Sequence, residues 1–169
     1  MAEGRPRRAP VTFTTRVAVF INTCGFVGYA PVAPGTAGSA AGLVLYAALR
    51  LGGAGPAADA LVILLLFALG TWSGTRTEEY FGTTDPGPGV IDEVVGMLIT
   101  LFMVPPGPVT ILAGFFLFRL LDVIKPYPAQ RLELLHGGLG MMADDCMAAV
   151  YANLLLQAAV WLLPAWLVL

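Results

Sequence analysis

The chain has 169 residues, 57% apolar and only 12% charged, with a net charge of −2. That length fits one domain. A mean hydropathy of +0.79 argues against an ordinary soluble domain, in which about 25% of residues are charged. No basic stripe points to nucleic acid. Cys24 and Cys146, without metal-ligand spacing, imply no disulfide framework and read as small packing residues.

Residues 1–10 read as a disordered basic leader and residues 11–169 as one membrane-embedded domain. The stretch after the leader is broken by Arg16, Asn22 and Thr23 and has no small-residue cleavage pattern. It reads as an interfacial helix or loop, not a cleaved signal peptide. Apolar segments follow at roughly 38–51, 58–74, 90–104, 109–124 and 144–169. Gly52 to Pro56 and Pro105 to Pro108 are turn compositions, which predict two antiparallel helical hairpins. Polar connections remain at 75–89 and 125–143.

The expected fold is therefore all-α: an integral membrane bundle of about four to five short helices with an N-terminal interfacial segment. Several segments hold only about 15 residues, or about 22 Å of helix, short of a full span. Either the bilayer thins around them, or some are buried helices of a partly immersed bundle. If the chain starts inside and crosses at every segment, eight of the nine basic residues fall on the inner side, with only Arg50 outside. The same path brings Asp92, Glu93, Asp122, Asp144 and Asp145 to one level, with Pro34 to Ser39 beside them.

Acids at the edges of apolar helices are expensive and are functional or paired. Clustered carboxylates suit a hard cation such as Mg²⁺. Asp92 and Glu93 read either as helix-start acids favoured by the macrodipole or as metal ligands. Asp144 and Asp145 carry the same two readings. The run from His136 to Met142, with Gly137, Gly138 and Gly140, predicts a turn whose N–H groups can face an anion. Arg119 and Asp122 share a helix face, as a local ion pair or as site residues. Lys125 follows one turn later, and Pro126 ends the helix. An arginine and a lysine beside acidic ligands fit a phosphate ester.

Gly38 and Gly42 mark a close packing face, and Gly96 another. Thr36 either caps its helix or donates to phosphate. His136 reads as a turn residue or headgroup contact ahead of a nucleophile or base. Trp72, Trp161, Trp166, Tyr80 and Tyr151 read as interface anchors or packing. Glu78, Glu79 and Asp85 read as solvated loop acids.

Four linked stretches carry a family resemblance. They are Gly28 to Ser39, with Pro31, Pro34, Gly35 and Thr36; Val90-Ile91-Asp92-Glu93 with Gly96; Phe118-Arg119 with Asp122, Lys125, Pro126 and Pro128; and His136-Gly137-Gly138 with Gly140, Asp144 and Asp145. Over residues 20–155 the chain resembles the phosphatidylglycerophosphatase A family. Cys146-Met147 stands where aliphatic residues are more usual. The resemblance implies a Mg²⁺-dependent bacterial enzyme of the cytoplasmic (inner) membrane, multi-pass, with its site facing the cytoplasm. It would hydrolyse phosphatidylglycerophosphate to phosphatidylglycerol and phosphate, in phosphatidylglycerol and cardiolipin biosynthesis.

On that reading, Asp92, Glu93, Asp122, Asp144 and Asp145 are expected to bind metal, and Lys125 is expected to join them in catalysis. Gly35, Thr36, Arg119 and Lys125 are expected to hold phosphate. The nucleophile is water activated at the metal or a carboxylate that becomes an acyl-phosphate. The rival classes are another lipid-phosphate enzyme and a small membrane transporter using the same acids. The acids' position at helix ends and the lack of a repeat count against the transporter.

Overall fold

The structure, a computed structural model, describes residues 11–163. The expected leader, residues 164–169 and Trp166 lie outside the described residues. Among those described the fold is all-helical, with seven α-helices and no strand. In chain order these are α1 (Phe13–Asn22), α2 (Pro34–Leu51), α3 (Pro56–Phe81), α4 (Ile91–Thr100), α5 (Pro108–Ile124), α6 (Ala129–Leu132) and α7 (Gly138–Leu162). A 3₁₀ turn, Val27–Tyr29, links α1 to α2.

Three of the longer helices start on a proline: Pro34, Pro56 and Pro108. Proline suits a first turn, where its missing N–H has no helical partner to lose. α1 starts on a capping box formed by Thr12 and Thr15. It packs along α3, so the N-terminal segment is a helix docked on the bundle.

The centre of the molecule is α4. Ile91, Val94, Val95, Met97 and Leu98 are buried, and α2, α3, α5 and α7 all pack on it. Ten residues make only about 15 Å of helix, about half a hydrocarbon core. The expected span at 90–104 is therefore a buried central helix. Its last carbonyls are met from inside the bundle: the Asn153 amide on α7 donates to Thr100 O at 3.0 Å and Phe102 O at 2.8 Å. Backbone at that depth is tolerated only when so partnered.

Two expected hairpins have different outcomes. α4 and α5 pack together across their turn. α2 does not run along α3 but lies on α4 instead. The cause is its glycine face, since a Cβ on Gly38 or Gly42 would lie 2.7 Å from Val90 or Met97. Gly96 makes similar room for Phe118 of α5, which is fully buried.

Both polar connections are shorter than expected. α3 runs on to Phe81, and the Thr71, Thr75 and Thr77 hydroxyls are satisfied within it by donating to carbonyls one turn earlier, at 2.7–2.9 Å. Its hydrophilic last turns stay helical. α7 begins at Gly138, so the glycine run is helix, not an open turn. The glycines serve helix contact: Gly74 on α3 would place a Cβ 2.9 Å from Gly138. The Gly138 N–H is taken by Thr75 Oγ1 at 2.9 Å.

α3 and α7 are long and apolar enough to cross a membrane. Large side chains stand exposed along them and along α5, among them Leu61, Leu64, Leu65, Phe116, Leu154 and Leu155. So much contiguous apolar surface marks contact with lipid or with another apolar surface.

Candidate active site

At one end of the bundle the start of α2, the start of α4, the end of α5 and the start of α7 converge. With the α3–α4 loop they enclose a cleft of about 360 Å³. Its walls carry Gly35, Asp92, Glu93, Arg119, Asp122, Lys125 and Asp145. These residues come from four separate segments. Asp92 and Glu93 lie in the first turn of α4, and Asp122 and the cap residue Lys125 close α5 with Arg119 one turn before. Asp145 sits about two turns into α7, past the glycine start rather than at the helix opening that the sequence suggested.

Oxygens of Asp92, Glu93 and Asp145 lie within 4.8 Å of one another, close enough to hold one metal ion. Asp92 is 5% and Asp145 also 5% exposed, so water does little to separate their charges. Asp122 lines the same cleft and adds a fourth carboxylate to it. Carboxylates this close cannot all stay charged without a shared proton or a cation between them. Glu93 Oε2 is buried with no protein donor. An all-oxygen, largely buried donor set with a free oxygen fits a hard divalent cation such as Mg²⁺.

The two cations on the walls are tethered. Arg119 Nη1 lies 2.8 Å from Asp122 and 3.6 Å from Glu93. Lys125 Nζ lies 2.5 Å from Asp144 and 3.4 Å from Glu133. Lys125 ends α5 with a left-handed backbone, φ 47°. Burial works against its charge, but the Asp144 hydrogen bond and charge more than reverse that, and the ammonium is held above the usual lysine range. Positive groups thus face the cleft beside three acids placed closely enough to hold a metal ion.

The remaining candidates are placed as follows. Asp144 is 3% exposed and points at Lys125, outside the cleft lining. Thr36 is exposed on the first turn of α2 and does not line the cleft, whereas its neighbour Gly35 does. Ser39, one turn on, donates to Gly35 O at 3.0 Å. His136 is exposed and also outside the lining. Burial pushes the Cys24 thiol up to about 12, with Asp92 and Glu93 adding to the effect, so it stays a neutral thiol.

One wall residue was missed by sequence reasoning. Asp85, read as a solvated loop acid, lines the cleft with Gly87 and Gly89. Its side chain is exposed at the rim. Its own backbone N–H is held by Glu78 at 3.1 Å, with a left-handed φ of 44°. Only its place between a long polar helix end and Asp92 hinted at this, and that hint is weak.

The sequence model of the phosphatidylglycerophosphatase A family matches residues 20–160. Three curated proteins are similar over most of their length. One from Bacteroides thetaiotaomicron, named "Putative phosphatidylinositol-3-phosphatase", is 38% identical over 86% of this chain and 94% of its own. Phosphatidylglycerophosphatase A of Haemophilus influenzae is 40% identical, covering 75% of this chain and 78% of its own. The Escherichia coli protein of that name is 35% identical, covering 73% and 72%. No solved structure matches the chain.

Proposed function

The chain belongs to the phosphatidylglycerophosphatase A family, a family of phosphatases, and from that premise we propose that it hydrolyses phosphatidylglycerophosphate to phosphatidylglycerol and phosphate. The observation that carries the reading is the cleft itself. Asp92, Glu93 and Asp145 can hold a divalent cation beside the positive Arg119 and Lys125. A phosphomonoester dianion needs both kinds of partner.

Unassisted hydrolysis of such esters is among the slowest reactions known, so positioning and charge neutralisation carry the catalysis. Asp92, Glu93 and Asp145 would hold Mg²⁺, with Asp122 and Asp144 completing the acidic set at one remove. The bound ion would neutralise phosphate charge and lower the pKa of a water. Arg119 presents a planar guanidinium able to grip two phosphoryl oxygens, and Lys125 adds a point charge. Both stabilise the charge that builds on the oxygens as the P–O bond to glycerol breaks. The Gly35 backbone borders the same space because no side chain intervenes. The glycerol oxygen leaves with a proton, and the new P–O bond comes from water.

The membrane placement is part of the proposal. Two apolar helices long enough to span and the exposed apolar faces support a multi-pass protein. Arg76, Arg119, Lys125 and Arg131 lie toward the cleft end, whereas Arg50 pairs with Asp59 at the start of α3. That bias supports a cytoplasm-facing site in a bacterial inner membrane. The diacyl tails would then remain in the bilayer while the headgroup enters the cleft.

The similarity to the Bacteroides protein favours a second headgroup, a phosphoinositide monoester. Purified protein in detergent should be given phosphatidylglycerophosphate and phosphatidylinositol 3-phosphate in parallel, with Mg²⁺. The proposal expects faster phosphate release from the first. A reversed preference would assign the second substrate, and release from neither would remove the lipid phosphatase reading.

A further inference from the structure

Resting on the phosphatase reading of the cleft, we propose that Asp144 is a positioning residue that fixes the Lys125 ammonium for the substrate phosphate and does not ligate the metal. Asp144 and Asp145 are adjacent on α7, so their side chains leave the helix about 100° apart. Asp145 brings a carboxylate oxygen within 4.8 Å of those of Asp92 and Glu93 and lines the cleft. Asp144 places Oδ2 2.5 Å from Lys125 Nζ, with Oδ1 buried, and does not join the converging trio.

Three observations separate its role from that of its neighbour. The three oxygens that converge for a cation belong to Asp92, Glu93 and Asp145. Lys125 lines the cleft and Asp144 does not, so a molecule in the cleft meets the ammonium and not the carboxylate behind it. The Asp144 side chain is 3% exposed against 24% for Lys125, which makes the acid the fixed partner and the lysine the presented one.

A tether is needed because of what a lysine is. Its charge sits at the end of a flexible stem with no preferred direction. Lys125 also leaves α5 from a left-handed cap, beyond the helix that would otherwise orient it. Glu133 at 3.4 Å offers a second partner, but its side chain is 47% exposed and competes with water. Arg119, six residues before Lys125 on α5, is likewise paired with an aspartate, Asp122 at 2.8 Å on the same helix. Each cation of the cleft thus has its own aspartate.

The test uses full-length protein in detergent and Mn²⁺ alone as the probe, read by its paramagnetic resonance. Asp145→Asn is expected to weaken Mn²⁺ binding about tenfold or more, and Asp144→Asn to stay within about twofold of the parent. In the phosphatase assay, Asp144→Asn is expected to lower kcat/KM about 10–100-fold. Adding it to Lys125→Met should cost no more, because both changes remove one function. Were Asp144→Asn alone lost to aggregation, the double variant, which leaves no buried charge unpaired, reads the metal question by itself. Mn²⁺ binding weakened tenfold by loss of Asp144, or losses that multiply with Lys125→Met, would overturn the proposal. A parent that releases no phosphate from any lipid sinks the phosphatase reading. The Mn²⁺ comparison needs no substrate and still decides whether Asp144 is a ligand.

Discussion

Gly35 occupies the tightest point of the cleft wall, where an added methyl would run into the Glu93 carboxylate and the Arg119 guanidinium. Gly35→Ala should displace Arg119 from Asp122 and lower kcat/KM by about tenfold or more, with helical circular dichroism unchanged. Normal kinetics would show that the first turn of α2 stands clear of the substrate. Cys24 gives a second prediction at this scale. With its thiol pushed from 9.0 to about 12, it carries roughly a thousandfold less thiolate than an ordinary cysteine at neutral pH. In EDTA and a Cys146→Ala background it should resist iodoacetamide until the protein is unfolded; fast alkylation of native protein would contradict that. The cleft acids were legible because each stands at the border of an apolar run, where a charge has few other reasons to be. Thr36 and Asp85 show where that logic stops. Thr36 adjoins Gly35 in the chain but faces out from the helix, while Asp85 reaches the cleft through a loop path that no periodicity encodes.

At the scale of elements, α4 decides the site, because Asp92 and Glu93 ride on its first turn. Its far end depends on Asn153, which also accepts from Gln157 at 2.7 Å. Asn153→Leu would leave one buried and one partly buried carbonyl without this donor and should destabilise the protein by about 2–4 kcal/mol. Thermal unfolding in detergent checks this, and an unchanged midpoint would mean that water or lipid reaches the end of α4. The helices themselves were legible, since every expected apolar segment overlaps one. Their ends and pairings were less so. α3 continues through polar residues whose threonine hydroxyls bond within the helix, and α7 starts on glycines that dock against α3. The choice of α4 over α3 as the partner of α2 rests on Gly38 and Gly42 meeting Val90, Val94 and Met97, a fit of shapes that hydropathy does not record.

For the whole molecule, the cleft at one end and the Arg50–Asp59 pair at the start of α3 give the bundle two distinct poles. With both native cysteines replaced, a cysteine put at His136, exposed near the cleft end, should react with an impermeant maleimide only from the cytoplasmic side. One put at Gly53, in the α2–α3 turn, should react only from the other side. The opposite pattern would invert the proposed orientation. The central claim is that the carboxylates of Asp92, Glu93 and Asp145 hold a divalent cation that makes this cleft a lipid phosphatase site. Its most direct measurement is phosphate release from phosphatidylglycerophosphate by purified protein with Mg²⁺, with EDTA, and in Asp145→Asn. The account predicts turnover only in the first, with the variant folded and at least about 100-fold slower. Full activity in EDTA or in Asp145→Asn would contradict it.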